Sequence, residues 1–251
     1  MPNLYIIAGC NGAGKTTASY TILPEMLDCS AFVNADIIAA ALSPFDPDSV
    51  AFEAGRIMLR RVDVLLKDGA DFAIETTLST KSYVSLVKDA QALGYKVSLL
   101  FFWLDSPVTA IQRVANRVAM GGHHIPANVI VRRYKRGLYN LWNLFIPIVD
   151  RWMVYNSMDL AVEPIAEGRG IFETHVSDER IWQNITEQSR VMEDTGTKHS
   201  ELYMLILKGI NMATRKMAEA SAARGESLVV SVDGEVRLVP AAELLAGRDR
   251  E

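Results

Sequence analysis

The run Gly9-Cys10-Asn11-Gly12-Ala13-Gly14-Lys15-Thr16 constrains this 251-residue chain more than any other feature. It fits G-x-x-x-x-G-K-[ST], follows the apolar run Leu4 to Ala8, and opens a helical pattern, so context and spacing agree. Glycines at those positions let the backbone wrap until successive N–H groups point at phosphate oxygens. Lys15 then reaches the terminal phosphates and the Thr16 hydroxyl ligates Mg²⁺. Gly9 to Thr16, with Thr17 behind them, form the expected nucleoside triphosphate site. Cys10 reads as a small side chain filling a tight turn rather than as a redox group.

The rest of the chain decides what kind of phosphate chemistry stands opposite this loop. Short apolar runs alternate with longer helical patterns, which predicts an α/β P-loop NTPase with a five-stranded parallel sheet and helices on both faces. The expected strands are Leu4 to Ala8, Ala31 to Ala35, Phe72 to Thr76, Val97 to Leu104 and Leu160 to Ile165. Asp46-Pro47 opens a helix closing at Gly69, Thr80 caps one closing at Gly94, and Ser106-Pro107 opens one ending at Gly121-Gly122. After Val176 the alternation stops. Helical stretches are expected over Asp178 to Val191 and Ser200 to Ala223, the second with an apolar stripe from Met204 to Met217. A hairpin signal, Leu228 to Leu238 around Asp233-Gly234, closes the chain. The expected division is a kinase-type domain over 1–176 and a helical extension over 177–251 ending in the hairpin.

In open parallel sheets, ligands meet the carboxyl ends of the strands. Two acids stand there, Asp36 after the second strand and Glu75 at the end of the third. Such carboxylates can take a proton from an acceptor hydroxyl or hold Mg²⁺, and two of them can divide the tasks. Electrostatics supply a third element. Residues 111–137 carry Arg113, Arg117, Arg132, Arg133, Lys135 and Arg136 without one acid, although the whole chain has 30 acids against 26 bases. Arg113 and Arg117 share a helix face, and the turn through Gly121-Gly122-His123-His124-Ile125-Pro126 brings the chain back to Arg132 and Arg133, as in an arginine-bearing lid over transferring phosphate. The two histidines lack partners at metal spacing.

Absences narrow the reading. There is no Asn-Lys-x-Asp, no Leu-Ser-Gly-Gly-Gln and no Asp-Glu strand end, which argues against a small GTPase, a transporter ATPase and a hydrolytic motor. A net charge of −4 argues against a nucleic-acid partner. Two cysteines suit a reducing, cytoplasmic setting. No apolar run reaches membrane-spanning length, so neither a membrane span nor export is expected.

A phosphate loop, then Asn34-Ala35-Asp36, then Glu75-Thr76-Thr77-Leu78, then arginines through Gly121-Gly122-His123 to Arg132-Arg133-Tyr134, resembles the zeta toxin family of small kinases over about Asn3 to Asp159. The resemblance implies an adenylate-kinase-like fold and transfer of the ATP γ-phosphate to a sugar hydroxyl, that of UDP-N-acetylglucosamine in characterised members. Lys15 and Thr16 would hold phosphate and Mg²⁺, Asp36 would be the base, Glu75 and Thr77 would bind the acceptor, and Arg117 with Arg132 or Arg133 would clamp the triphosphate. It also implies an antitoxin-like partner. Ser79 departs from the family pattern Glu-x-Thr-Leu-Arg, which opens the acceptor pocket around Ser79 to a different sugar or nucleotide. The alternative is an ATP-driven conformational switch that phosphorylates nothing.

Overall fold

A computed structural model describes residues 1–122, 124–158, 162–190, 219–232 and 235–243 of the chain. They fall into two compact units, Met1–Met192 and Glu193–Glu251.

The first unit is built on β1 (Asn3–Gly9), a strand buried on both faces as its unbroken apolar run demands. β3 (Phe72–Thr76) and β4 (Lys96–Trp103) flank it in parallel, with β2 (Ala31–Val33) outside β3 and β5 (Arg151–Asn156) outside β4. Two further strands, β6 (Glu163–Arg169) and β7 (Glu173–Val176), continue the sheet antiparallel, giving the order β2-β3-β1-β4-β5-β6-β7. The sheet thus has seven strands, five of them parallel as expected.

The fifth parallel strand is not the one the sequence suggested. Residues 159–161 lie outside the described set, and the remainder of the Leu160 to Ile165 run belongs to antiparallel β6. Pro164, which has no N–H to give a ladder, sits opposite Tyr155 at a bulge in the β5–β6 register. The parallel strand is β5 instead. Trp152 and Val154 on one face are buried, and Met153 and Tyr155 on the other pack against the core while remaining part-exposed.

Between the strands run α1 (Lys15–Thr21), α2 (Ala35–Leu42), α3 (Ala51–Lys67), α4 (Tyr83–Ala92), α5 (Pro107–Ala119) and α6 (Ala127–Asn140). Ser106 caps α5 by accepting from the Thr109 N–H, with Pro107 in the first turn, as the sequence indicated. Thr80 is not the cap of α4, which starts after Ser82; the two hydroxyls bond each other at 3.0 Å in the preceding turn.

The first unit also reaches further than residue 176. α7 (Glu179–Arg190) was expected in the extension, but Trp182 stacks on Trp152 of β5 at 5.4 Å and 8° and tilts against Trp142 at 5.5 Å. Trp182 and Ile185 are buried with the core of the sheet. In the second unit, β8 (Ser227–Val232) pairs antiparallel with β9 (Glu235–Pro240), the expected hairpin; its turn residues, and the stripe from Met204 to Met217, lie outside the described residues. Among the described residues no helix is long and apolar enough to cross a membrane.

The tryptophan stack makes α7 part of the fold's stability. Trp182→Ala should lower the unfolding free energy by about 3–5 kcal/mol in urea titrations followed by tryptophan fluorescence. A loss under about 1 kcal/mol would mean that α7 is only an appendage.

Candidate active site

The phosphate loop keeps its shape because its neighbours leave room for nothing larger. Gly9 ends β1 at φ +143°, and a Cβ there would lie 2.4 Å from the Phe102 carbonyl oxygen. Gly12, at φ +82°, faces α5, where a Cβ would come within 3.0 Å of the Ala110 carbonyl oxygen and 3.1 Å of the Arg113 Cβ. Both positions need glycine for backbone conformation and for space. The Ser157 hydroxyl, just past β5, donates to the Ala13 carbonyl at 2.7 Å and braces the loop from the other side. Nothing in the sequence marked Ser157, since a lone serine after a strand has no pattern. Lys15 is buried and folds back to donate to the Cys10 carbonyl at 3.0 Å, while Thr17 is exposed on α1.

Glu75 joins the separate pieces. Its carboxylate accepts from the Thr16 hydroxyl at 2.8 Å and from the Asn34 amide at 2.7 Å, and Lys15 Nζ stands 3.7 Å away. The acid expected on the acceptor therefore lies against the nucleotide loop. Asn34 stands in the Asn34-Ala35-Asp36 segment of the family resemblance but was given no role of its own. Its Oδ1 accepts from the Asp36 and Ile37 N–H groups and caps α2, so Asp36 is not the cap. Asp36 is instead exposed on the first turn of α2. Burial first, and then the charge of Asp36, raise the Tyr83 phenol above its ordinary pKa, which places the two in one electrostatic neighbourhood.

Beyond Glu75 the chain turns sharply. The Thr77 and Ser79 hydroxyls bond each other at 2.9 Å across a fully buried Leu78 held at φ +57°.

The basic segment is less of a lid than its charge pattern suggested. α5 and α6 bury Ala110, Val114, Ile130, Tyr134 and Leu138, which anchors both helices in the core. The Tyr134 hydroxyl donates toward the Leu104 carbonyl at 2.8 Å and Gln188 at 3.0 Å, and burial raises its pKa. Between α5 and α6, residues 120–122 and 124–126 are non-helical; His123 is outside the described residues and His124 is exposed. Of the arginines, Arg133 reaches the loop, donating to the Asn11 side chain at 3.3 Å. Arg132, one residue away and about 100° around the helix, is exposed. Arg113 backs Gly12 and donates to the Met158 carbonyl. Arg117 lies one turn further along α5, half-buried under Gly122, where a Cβ would sit 2.6 Å from its Cγ.

The loop and its surroundings suit a triphosphate with a hard divalent cation. The glycine cradle leaves the backbone bare, and the Thr16 hydroxyl and Glu75 carboxylate set two oxygen donors side by side beneath it.

The zeta toxin family model matches residues 1–144. The chain belongs to the zeta toxin family. A second match, to a domain of unknown function, covers residues 196–250. An uncharacterised Haemophilus influenzae protein is 28% identical over 126 residues, half of this chain and 88% of that one. Among solved structures, a chain of the AvrRxo1-ORF1:AvrRxo1-ORF2 complex with sulphate ions has a TM-score of 0.62 at 19% identity, covering 77% of this chain and 66% of its own length. A chain of the PezAT chromosomal toxin-antitoxin system of Streptococcus pneumoniae gives 0.53 at 18% identity, covering 87% and 88%. These likenesses are of fold, and the chain spans about two thirds of the AvrRxo1 chain. Family and fold together make this zeta toxin relative a kinase-like phosphotransferase.

Cys10 offers a test of the loop's packing. Burial outweighs the nearby Lys15 and Arg113 charges and pushes its thiol up to about 11. At pH 8 the thiolate fraction is then on the order of 10⁻³, so Cys10 in the folded protein should react with a maleimide or disulfide reagent far more slowly than in urea. Equal rates in both states would show the loop to be open.

Proposed function

We propose that the chain is an ATP- and Mg²⁺-dependent kinase that phosphorylates a hydroxyl of a small acceptor, a nucleotide sugar such as UDP-N-acetylglucosamine among them. The observation that carries this reading is the Glu75 junction, because it ties the phosphate loop to Asn34, whose cap presents Asp36 one turn into the acceptor side. A protein that only bound ATP would need no second carboxylate there.

On this reading the loop N–H groups and Lys15 hold the terminal phosphates, and Thr16 with Glu75 holds the cation. When bound, ATP supplies the phosphoryl group and Mg²⁺ offsets charge on its oxygens. Asp36 takes the proton from the acceptor hydroxyl as that oxygen bonds phosphorus and the bond to the ADP oxygen breaks. Thr77 and Ser79 offer hydroxyls to the acceptor. Arg133, already on the loop through Asn11, is the arginine best placed to offset charge on the transferring group. Arg117 and Arg132 are the further candidates to clamp the triphosphate.

Membership in the family and the toxin-antitoxin origin of the PezAT structure support an antitoxin-like protein partner. Two buried free cysteines support a reducing, cytoplasmic setting.

The test is incubation with ATP, Mg²⁺ and a panel of nucleotide sugars and small polar metabolites, with mass spectrometry detecting an added phosphate. Lys15→Ala should abolish product. Asp36→Asn should keep ATP binding and lower turnover by about 10²–10⁴. Glu75→Gln should raise the Mg²⁺ concentration needed for half-maximal rate. ATP binding through Lys15 with no product from any acceptor would overturn the kinase in favour of a nucleotide-driven switch.

A further inference from the structure

One face of α6 spans both halves of the site. Arg133, Gly137 and Asn140 follow each other at helical spacing. Arg133 reaches Asn11 of the phosphate loop. Gly137 lies so close to the turn after β3 that a Cβ would stand 2.8 Å from the Thr77 carbonyl oxygen. Asn140, itself buried, donates its amide to the Leu78 carbonyl at 2.7 Å.

We propose that Asn140 is a positioning residue for the acceptor: through the Leu78 carbonyl it holds the turn that aims the Thr77 and Ser79 hydroxyls. This rests on the reading of that turn as the acceptor side of a kinase. The turn needs holding because Leu78 has φ +57°, a left-handed conformation that a leucine keeps only where its surroundings impose it. Three contacts impose it here. The Leu78 side chain is fully buried, its N–H donates to the Thr76 hydroxyl at 3.0 Å, and its carbonyl takes the Asn140 amide. The N–H bond belongs to the turn itself and the side chain is held by the core, while the Asn140 amide is the hydrogen bond that comes from the helix also touching the nucleotide loop. The residue type matters. An aspartate has the same shape but offers oxygens to an oxygen, so it would repel the carbonyl that the amide holds.

The experiment compares full-length wild type, Asn140→Ala, Asn140→Asp and Gly137→Ala. In hydrogen exchange, peptides over 76–82 should exchange at least about tenfold faster in each variant while those over β1 and β4 keep their protection. With the acceptor identified, its KM should rise about tenfold or more and the KM for ATP should stay within about twofold. Unchanged exchange over 76–82, or both KM values moving together, overturns the proposal. If no variant folds, the wild type decides: amides of 77–79 must exchange as slowly as β3, and fast exchange overturns the clamp. If wild type phosphorylates nothing in the panel, the kinase reading fails by itself, and the exchange data still judge the clamp.

Discussion

A lysine ammonium and a glutamate carboxylate, with side-chain exposures of only 7% and 9%, meet under the phosphate loop, and neither can be left without partners at that depth. Their separation of 3.7 Å is long for a close ion pair. Each is held mainly by other groups, Lys15 by the Cys10 carbonyl and Glu75 by Thr16 and Asn34. The charges therefore stay near one another without collapsing together. Lys15 and Thr16 are thereby held beside the loop by bonds within the protein.

Strand order makes this arrangement possible. In sequence the strands run β1, β2, β3, but in space β3 lies between β2 and β1. Its carboxyl end thus reaches the phosphate loop on one side and the start of α2 on the other, and a single side chain, Glu75, can bridge both. Getting β3 there requires parallel crossovers, which is why α2 and α3 occupy the chain between β2 and β3. On the far side of β1, the β4 backbone at Phe102, the first turns of α5 and Ser157 after β5 close on the loop. The loop is thus gripped from both flanks by elements distant in sequence.

What the sequence disclosed follows from how local each signal is. The loop, the strand-end acids and the cap at Ser106 were legible because each is a short pattern with a mechanism. β5 was missed although Trp152-Met153-Val154-Tyr155 is an unbroken apolar run, and the stretch read in its place contains Glu163 and Pro164, which suit an edge better than a central parallel strand. Spacing placed Arg132 and Arg133 in the right helix but could not choose between them, since only the helix's rotation against the loop sets which one faces Asn11. Missing acids in 111–137 were read as a lid, whereas the apolar residues between the arginines anchor both helices. Asn34 lay in the family segment without a role, and Asn140 and Ser157 carry no pattern at all. Each acts by giving one hydrogen bond to a group 41, 62 or 144 residues away.

The two strand-end carboxylates show how environment divides chemistry between like groups. Glu75 accepts two hydrogen bonds on one oxygen and faces Lys15 with the other, which fixes it beside the loop. Asp36 sits exposed at the start of α2, where the helix N–H groups favour negative charge, and its face is open. On the kinase reading that open face is what lets an acceptor hydroxyl reach Asp36 from solvent. Ser79, where the family pattern carries an arginine, keeps its hydroxyl on Thr77, so on that reading the Thr77–Ser79 turn offers an acceptor neutral hydrogen-bonding groups rather than a positive charge.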